Sequence, residues 1–272
     1  MREANSGRFS ENFDLNQSKS RKIALIGNYL PRHCGIATFT FDVHAAMRER
    51  FPDTAIDIWA MNDRPEGYAY SPEVVGSIDQ DDKVSYSVAA QAIAASGADM
   101  LWLQHEYGIF GGPAGEYILH LLDQLDLPLA THVHTVLDDP NPDQRRIMER
   151  LVARSARLIV MSPRGRELLV SVYGARPDQI AVIPHGIPDR PFGETAAMKP
   201  RFGFGDRPVI LTFGLLSPGK GIEHMIAAMP AIARADPEAR YVVLGATHPN
   251  RPAEGLRARP EHQSRTAPTG AG

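Results

Sequence analysis

Lys22-Ile23-Ala24-Leu25-Ile26-Gly27, running on through Asn28-Tyr29-Leu30-Pro31-Arg32-His33-Cys34-Gly35-Ile36-Ala37, decides how this chain is read. An apolar run ends on a glycine, a loop ends on a second glycine, and a helical pattern follows. Phe39, Val43, Ala46 and Met47 recur at helical spacing and are expected on one apolar face. A second unit of the same design appears later: Val209-Ile210-Leu211-Thr212-Phe213-Gly214, then Ser217-Pro218-Gly219-Lys220-Gly221, then a helix with Ile222, Met225, Ile226 and Met229 on one face. About 185 residues separate the two starts, roughly one domain's length. A strand-end glycine loop can bring backbone N–H groups up to a phosphate, and two such domains would face each other across a cleft.

Between these units, strand and helix patterns alternate, which predicts a parallel sheet covered by helices. Strands are expected at 22–27, 55–60, 74–78, 99–105, 128–134, 157–161 and 180–184, most of them continuous apolar runs suited to burial on both faces. Ile118, Leu121, Leu122 and Leu125 share a helical face within 114–125. Asn141-Pro142 and Ser162-Pro163 each look like an N-cap followed by proline in the first helical position, and Gly174 sits where a helix end wants a left-handed residue. The expected organisation is a disordered leader (1–20), a first domain (21–186), a proline- and glycine-bearing linker (187–207), a partial second domain (208–250) with strands at 209–214 and 240–245, and a disordered tail (251–272) poor in large apolar side chains.

Composition narrows the function classes. The chain has 272 residues, a hydrophobic fraction of 43% and a net charge of −3. That charge gives no reason to expect nucleic acid or an anionic membrane as a bulk electrostatic partner. The single cysteine, Cys34, excludes an internal disulfide framework and fits a reducing cytoplasm. No apolar run approaches the length of a transmembrane span, and residues 1–20 lack the apolar core of a secretory signal.

In open parallel sheets, ligands bind outside the carboxyl ends of the strands. His105, His134 and His185 all fall at such ends, with Glu106 beside the first. They could line a cleft, or cap strands by hydrogen bonding. His132 and His134 share one face of a strand, a spacing that can bind a metal, but no further ligands stand nearby in sequence, so His132 is expected as a satisfied core histidine and no metal is expected. Asp79 and Asp81 precede a helix, and Asp138-Asp139 precede Pro140; both fit helix-end or turn chemistry. The loop 27–35 is neither a dinucleotide fingerprint nor a P-loop. It offers Gly35 just before a helix, with Arg32 and His33 beside it; Gly35 fits a ligand approach or a tight turn. Gly108, Gly111, Gly112 and Gly115 suggest a mobile loop around Phe110, or a turn into the next helix. Lys220, between Gly219 and Gly221, fits a diphosphate or a surface turn.

Taken together, Pro31-Arg32-His33-Cys34-Gly35-Ile36-Ala37, Gln104-His105-Glu106-Tyr107-Gly108, His132-Val133-His134-Thr135, Val182-Ile183-Pro184-His185-Gly186, Phe213-Gly214-Leu215-Leu216-Ser217-Pro218-Gly219-Lys220-Gly221 and Val243-Leu244-Gly245 resemble the GT-B glycosyltransferases of family 4, which are retaining enzymes using nucleotide-sugar donors. The resemblance covers about 22–250 and rests on the order and spacing of these stretches. It implies an α/β fold, with a Rossmann-like parallel sheet as the N-terminal half and an incomplete second Rossmann-like βαβ unit. It implies that Gly35 approaches the donor diphosphate and the acceptor, that His134 is the active-site histidine near the transferred sugar, and that Lys220 holds the diphosphate. Arg32, His105, Glu106 and His185 are then substrate-cleft candidates. The arginine that usually partners the lysine falls at Leu215, and the family's two-glutamate motif would lie beyond Asn250. Impaired transfer by this chain is therefore expected.

The implied partners are a nucleotide sugar as co-substrate and an unidentified saccharide, lipid or small-molecule acceptor, with no further cofactor. An acceptor-binding module without turnover is the alternative. A Rossmann oxidoreductase is disfavoured by the missing glycine fingerprint, and metal hydrolysis through His132 and His134 by the missing ligands.

Overall fold

A computed structural model describes residues 21–187, 191, 193, 195–214, 216 and 220–246. The leader expected over 1–20 and the tail expected over 251–272 lie outside the described residues. The chain divides into two compact units after Ile187.

The first unit carries strands β1 (Arg21–Gly27), β2 (Thr54–Asn62), β3 (Val74–Asp79), β4 (Met100–His105), β5 (Leu129–Val133), β6 (Arg157–Val160) and β7 (Ile180–Val182). Its helices are α1 (Gly35–Arg50), α2 (Lys83–Ala95), α3 (Tyr117–Leu122), α4 (Pro142–Arg154) and α5 (Pro163–Tyr173). All seven strands form one parallel sheet in the order β3-β2-β1-β4-β5-β6-β7. The order reverses between β1 and β4, and at such a switch point the connecting helices leave on opposite faces and open a crevice beyond the strand ends. The loop after Gly27 and the loop after His105 therefore flank that crevice.

Strand β1 shows why these runs are apolar throughout. Ala24 and Ile26 join the large cluster with Trp59, Met61, Tyr86 and Leu101, whereas Ile23 and Leu25 join Tyr29, Ile56 and Ile58 on the other side. Side chains alternate across a strand, so a sheet covered on both faces needs apolar residues at every position. The helix ends follow the sequence signals closely. Asn141 caps α4 in a reciprocal box with Gln144, Ser162 caps α5 through the Gly165 N–H, and Gly174 ends α5 with φ of 68°.

Three expectations of local structure are corrected. The buried face of α1 is Ala37, Thr40 and His44; Phe39, Val43 and Met47 are half-buried and Ala46 is exposed. The polar residues can face inward because each has a partner: Thr40 Oγ1 donates to the Ile36 carbonyl at 2.7 Å, and His44 Nδ1 lies 3.1 Å from the Tyr29 hydroxyl, which donates to Glu73 at 3.0 Å. The helix expected over 114–125 is shorter, because Gly112, Ala114 and Gly115 all have positive φ and confine α3 to Tyr117–Leu122. Gly111, Gly112 and Gly115 around Phe110 serve close packing, with a Cβ on Gly111 falling 2.0 Å from the Gln80 carbonyl oxygen, whereas a Cβ on Gly108 would meet nothing within 4 Å among the described residues.

The second unit holds α6 (Thr195–Met198), β8 (Val209–Phe213), α7 (Ile222–Ala235) and β9 (Arg240–Leu244). β8 and β9 pair in parallel, which makes a βαβ unit. The segment 187–207, expected as a linker, contains α6 and a 3₁₀ turn at Lys199–Phe202. Among the described residues, no helix is long and apolar enough to cross a membrane.

Candidate active site

The loop that leaves β1 is held from within. Asn28 and Tyr29 are fully buried and Arg32 is 4% exposed. The Arg32 guanidinium donates to Asn28 Oδ1 at 2.9 Å, to the Met61 carbonyl at 3.2 Å and to Gln80 Oε1 at 3.3 Å, and pairs with Asp63 at 3.1 Å. It thus ties the β1 loop to the ends of β2 and β3. The chain then reaches Cys34, whose Sγ accepts from Asn28 Nδ2 at 3.1 Å, and Gly35, the first residue of α1. Gly35 is exposed, and a Cβ there would have nothing within 4 Å among the described residues. Neither packing nor backbone strain calls for glycine at this position, and the missing side chain leaves the helix N-terminus open.

One turn further along α1, Phe39 forms the hub of an imidazole cluster. Its ring stands edge-on to His132, His134 and His185 at centroid distances of 4.9, 4.9 and 5.1 Å. His132 and His134, two residues apart on β5 and its extension, stack at 4.9 Å with 14° between their planes. The His134 N–H donates to the His105 carbonyl at 3.0 Å, prolonging the β4–β5 ladder by one step. Its Nε2 lies 2.9 Å from Gln104 Oε1. Beside it, Glu106 is committed locally: one carboxylate oxygen accepts from the Tyr107 N–H and the other from the Thr135 hydroxyl.

This cluster is kept neutral. Burial, reinforced by His132, His185 and His105, pushes His134 down to about 3. Burial and His185 push His132 down to about 4. Burial alone lowers His105. An imidazolium here would lose hydration without gaining a carboxylate partner, so the proton leaves. Neutral imidazoles offer one N–H donor and one lone pair each and carry no charge.

The expected site residues separate into two sets. Gly35, His134 and His185 belong to one neighbourhood, joined through α1 and Phe39. Arg32 and His105 lie beneath the surface: Arg32 is spent on its four partners, and His105 is fully buried between Tyr107 and Phe110, at 5.0 and 6.0 Å. His132 was expected as a satisfied core histidine; it is buried, but neither ring nitrogen has a partner among the described residues. Asp82 caps α2 through the Val84 N–H, and Asp79 accepts from Asn62 Nδ2, so the acidic stretch is helix-end and loop chemistry.

Lys220 belongs to the second unit. It is exposed, and a Cβ on Gly214, just past β8, would lie 3.6 Å from its Nζ. Among the described residues, no group of three or more His, Cys, Asp or Glu is arranged to hold a metal ion. Phe39, Gln104 and Thr135 were missed as site residues. Phe39 read as an ordinary member of a helix face, and the one available signal was its place in the first turn after the glycine loop.

The family described as Glycosyltransferase Family 4 matches residues 36–190, the stretch that carries α1, the β4 and β5 ends and His185. A D-inositol 3-phosphate glycosyltransferase of Segniliparus rotundus is 31% identical over 157 residues, covering 53% of this chain and 34% of that protein. A GDP-mannose-dependent alpha-(1-6)-phosphatidylinositol monomannoside mannosyltransferase of Mycolicibacterium smegmatis is 28% identical over 120 residues, 43% of this chain and 31% of that protein. The chain thus spans about a third of the length of these curated relatives. Among solved structures, Anabaena HepE in complex with UDP and glucose superposes with a TM-score of 0.53 at 16% identity, covering 83% of this chain and 61% of that one. The UDP-forming alpha,alpha-trehalose-phosphate synthase of Burkholderia vietnamiensis gives 0.55 at 12%, covering 84% and 65%. At such identities the likeness is one of fold, the α/β architecture of the GT-B enzymes. With the sheet order, the histidine-lined strand ends and a family match across most of the first unit all in agreement, this chain belongs to glycosyltransferase family 4.

Proposed function

We propose that this chain transfers a sugar from a nucleotide-sugar donor to an acceptor hydroxyl, with His134 beside the reacting sugar, Gly35 at the open N-terminus of α1 toward the donor phosphates, and Lys220 as a cation for the diphosphate. The observation that carries this reading is the imidazole cluster that His132, His134 and His185 form around Phe39 at the carboxyl ends of the strands. Breaking a glycosidic bond to a nucleotide builds positive charge on the sugar ring and negative charge on the leaving diphosphate. A cationic histidine beside the ring would oppose the first, whereas a neutral imidazole supplies a dipole and a lone pair without repulsion. Helix N-terminal N–H groups and a lysine suit the second.

No metal cofactor forms part of the proposal. Cys34 is a free thiol and fits a reducing cytoplasm as the location. The relatives' names speak of inositol phosphate and phosphatidylinositol mannoside, so acceptors bearing an inositol ring are the first to test.

The test is purified chain with a panel of UDP-, GDP- and ADP-sugars and inositol-bearing acceptors, read by nucleotide release and product mass. Transfer is expected to fall by about 100-fold, or about 2.7 kcal/mol, in His134→Ala. Lys220→Ala is expected to raise the donor KM by about tenfold. Acceptor binding without nucleotide release for any donor would reduce the chain to a binding module, and full activity of His134→Ala would remove the residue from the site.

A further inference from the structure

We propose that Gln104 is a positioning residue for His134: its side-chain carbonyl fixes the imidazole as the Nε2–H tautomer and leaves Nδ1 as the ring's accepting nitrogen. The role rests on the transferase reading, in which Nδ1 would accept a hydrogen bond from a sugar hydroxyl, but the tautomer is a property of the unliganded protein.

Gln104 is fully buried near the end of β4, opposite His132 on β5. On its other flank stands Gly27, the last residue of β1. A Cβ at Gly27 would lie 2.8 Å from Gln104 Cβ and 3.1 Å from its Cγ, so glycine makes the room in which the glutamine lies. The amide then reaches His134 Nε2 with Oε1 at 2.9 Å. An amide oxygen only accepts, so Nε2 must carry the hydrogen of the neutral ring.

The ring cannot turn away from this contact. Phe39 meets it edge-on, His132 stacks on it, and its backbone is tied to the His105 carbonyl. The ionisable groups acting on His134 are His132, His185 and His105, all imidazoles. Glu106 is occupied by Thr135 and Tyr107. Among the described residues, no carboxylate is therefore placed to set the ring's protonation, and the amide does it instead.

A second observation points the same way. The other end of the amide, Gln104 Nε2, is buried without a partner among the described residues. An orphaned N–H₂ costs stability that an apolar side chain of the same shape would not. A glutamine kept at that cost is expected where its oxygen matters.

The experiment uses the full chain labelled with ¹⁵N-histidine. Long-range ¹H–¹⁵N spectra at pH 7 report the tautomer, and His134→Asn identifies the His134 signals. The wild type is expected to show Nε2–H outnumbering Nδ1–H. In Gln104→Leu that preference should fall by about fivefold, the weight of one ordinary hydrogen bond. In Gln104→Glu the Nε2–H form should be retained, because the acceptor oxygen survives, and His134 should titrate at higher pH beside a carboxylate. Where transfer is measurable, Gln104→Leu should lower kcat by about tenfold and leave KM within roughly twofold. An Nδ1–H His134 in the wild type, or a ratio unchanged in Gln104→Leu, overturns the proposal whatever the enzyme assay shows. Absence of turnover with the expected spectra would instead count against the transferase reading alone.

Discussion

Lowering the pH from 7 to 5 is expected to strip the first unit of a large part of its stability, on the order of 6 kcal/mol. His105, His132 and His134 are all held neutral by burial, with His132 and His134 at about 4 and about 3. His44, on the buried face of α1, is lowered as well, again chiefly by burial. In the unfolded chain these groups titrate near 6.5. Their folded values are depressed, so below about 6.5 the unfolded state binds protons that the folded state refuses. Stability then falls as pH falls, through the window from about 6.5 down to about 3–4.

His105, His132 and His134 each contribute a change on the order of 2 kcal/mol between pH 7 and pH 5, and His44 adds to it in the same direction. Set against a typical 5–15 kcal/mol for a domain, the sum is decisive. Urea unfolding followed by tryptophan fluorescence reads the first unit specifically, since both tryptophans, Trp59 and Trp102, lie there. About three protons should be taken up per unfolding event near pH 5. His105→Phe isolates one contribution: its ring sits between Tyr107 and Phe110 with neither nitrogen partnered among the described residues, so the variant should match wild type at pH 7 and be the more stable at pH 5. A midpoint unchanged from pH 7 to pH 5 would show that these imidazoles are hydrated and protonated in the fold.

Arg32→Met is expected to destabilise the first unit by about 3 kcal/mol, the lower end of what removing one member of a buried ion pair costs. The substitution keeps the stem's volume and deletes the guanidinium. Asp63 then loses its cation, and Asn28 Oδ1, the Met61 carbonyl and Gln80 Oε1 each lose a donor. Asp63 is partly accessible and also accepts from the Tyr68 hydroxyl at 2.7 Å, so water and Tyr68 offset part of the loss. Arg32→Lys should recover less than half, because an ammonium cannot span four acceptors in a fan as the planar fork does. The difference between wild type and Arg32→Met should persist at 1 M salt, since a buried pair is poorly screened. An Arg32→Met protein of wild-type stability that has lost donor or acceptor binding would return Arg32 to the substrate cleft, where the sequence had placed it.

How much the sequence determined by itself is clearest at particular residues. The two glycine-ended strands, the alternation that makes a parallel sheet, and the helix starts at Asn141 and Ser162 were all legible, because strand periodicity, capping and proline placement act over a few neighbouring residues. The order β3-β2-β1-β4-β5-β6-β7 follows from no local signal. It is set by which apolar faces meet, and it alone brings the β1 loop and the β4 end to the two sides of one crevice.

The same division runs through the site. His134 and Gly35 could be named from strand ends and glycine position. That Arg32 points inward, that His105 lies beneath the rim, and that α1 buries Thr40 and His44 were decided by tertiary structure. Asp63 and Gln80 hold Arg32 and Tyr29 holds His44 from other parts of the chain, whereas the rings packed on His105 are its near neighbours Tyr107 and Phe110, which the loop after β4 turns back onto it. A polar side chain goes wherever its desolvation is best compensated, and partners dozens of residues away leave no mark on the sequence around it.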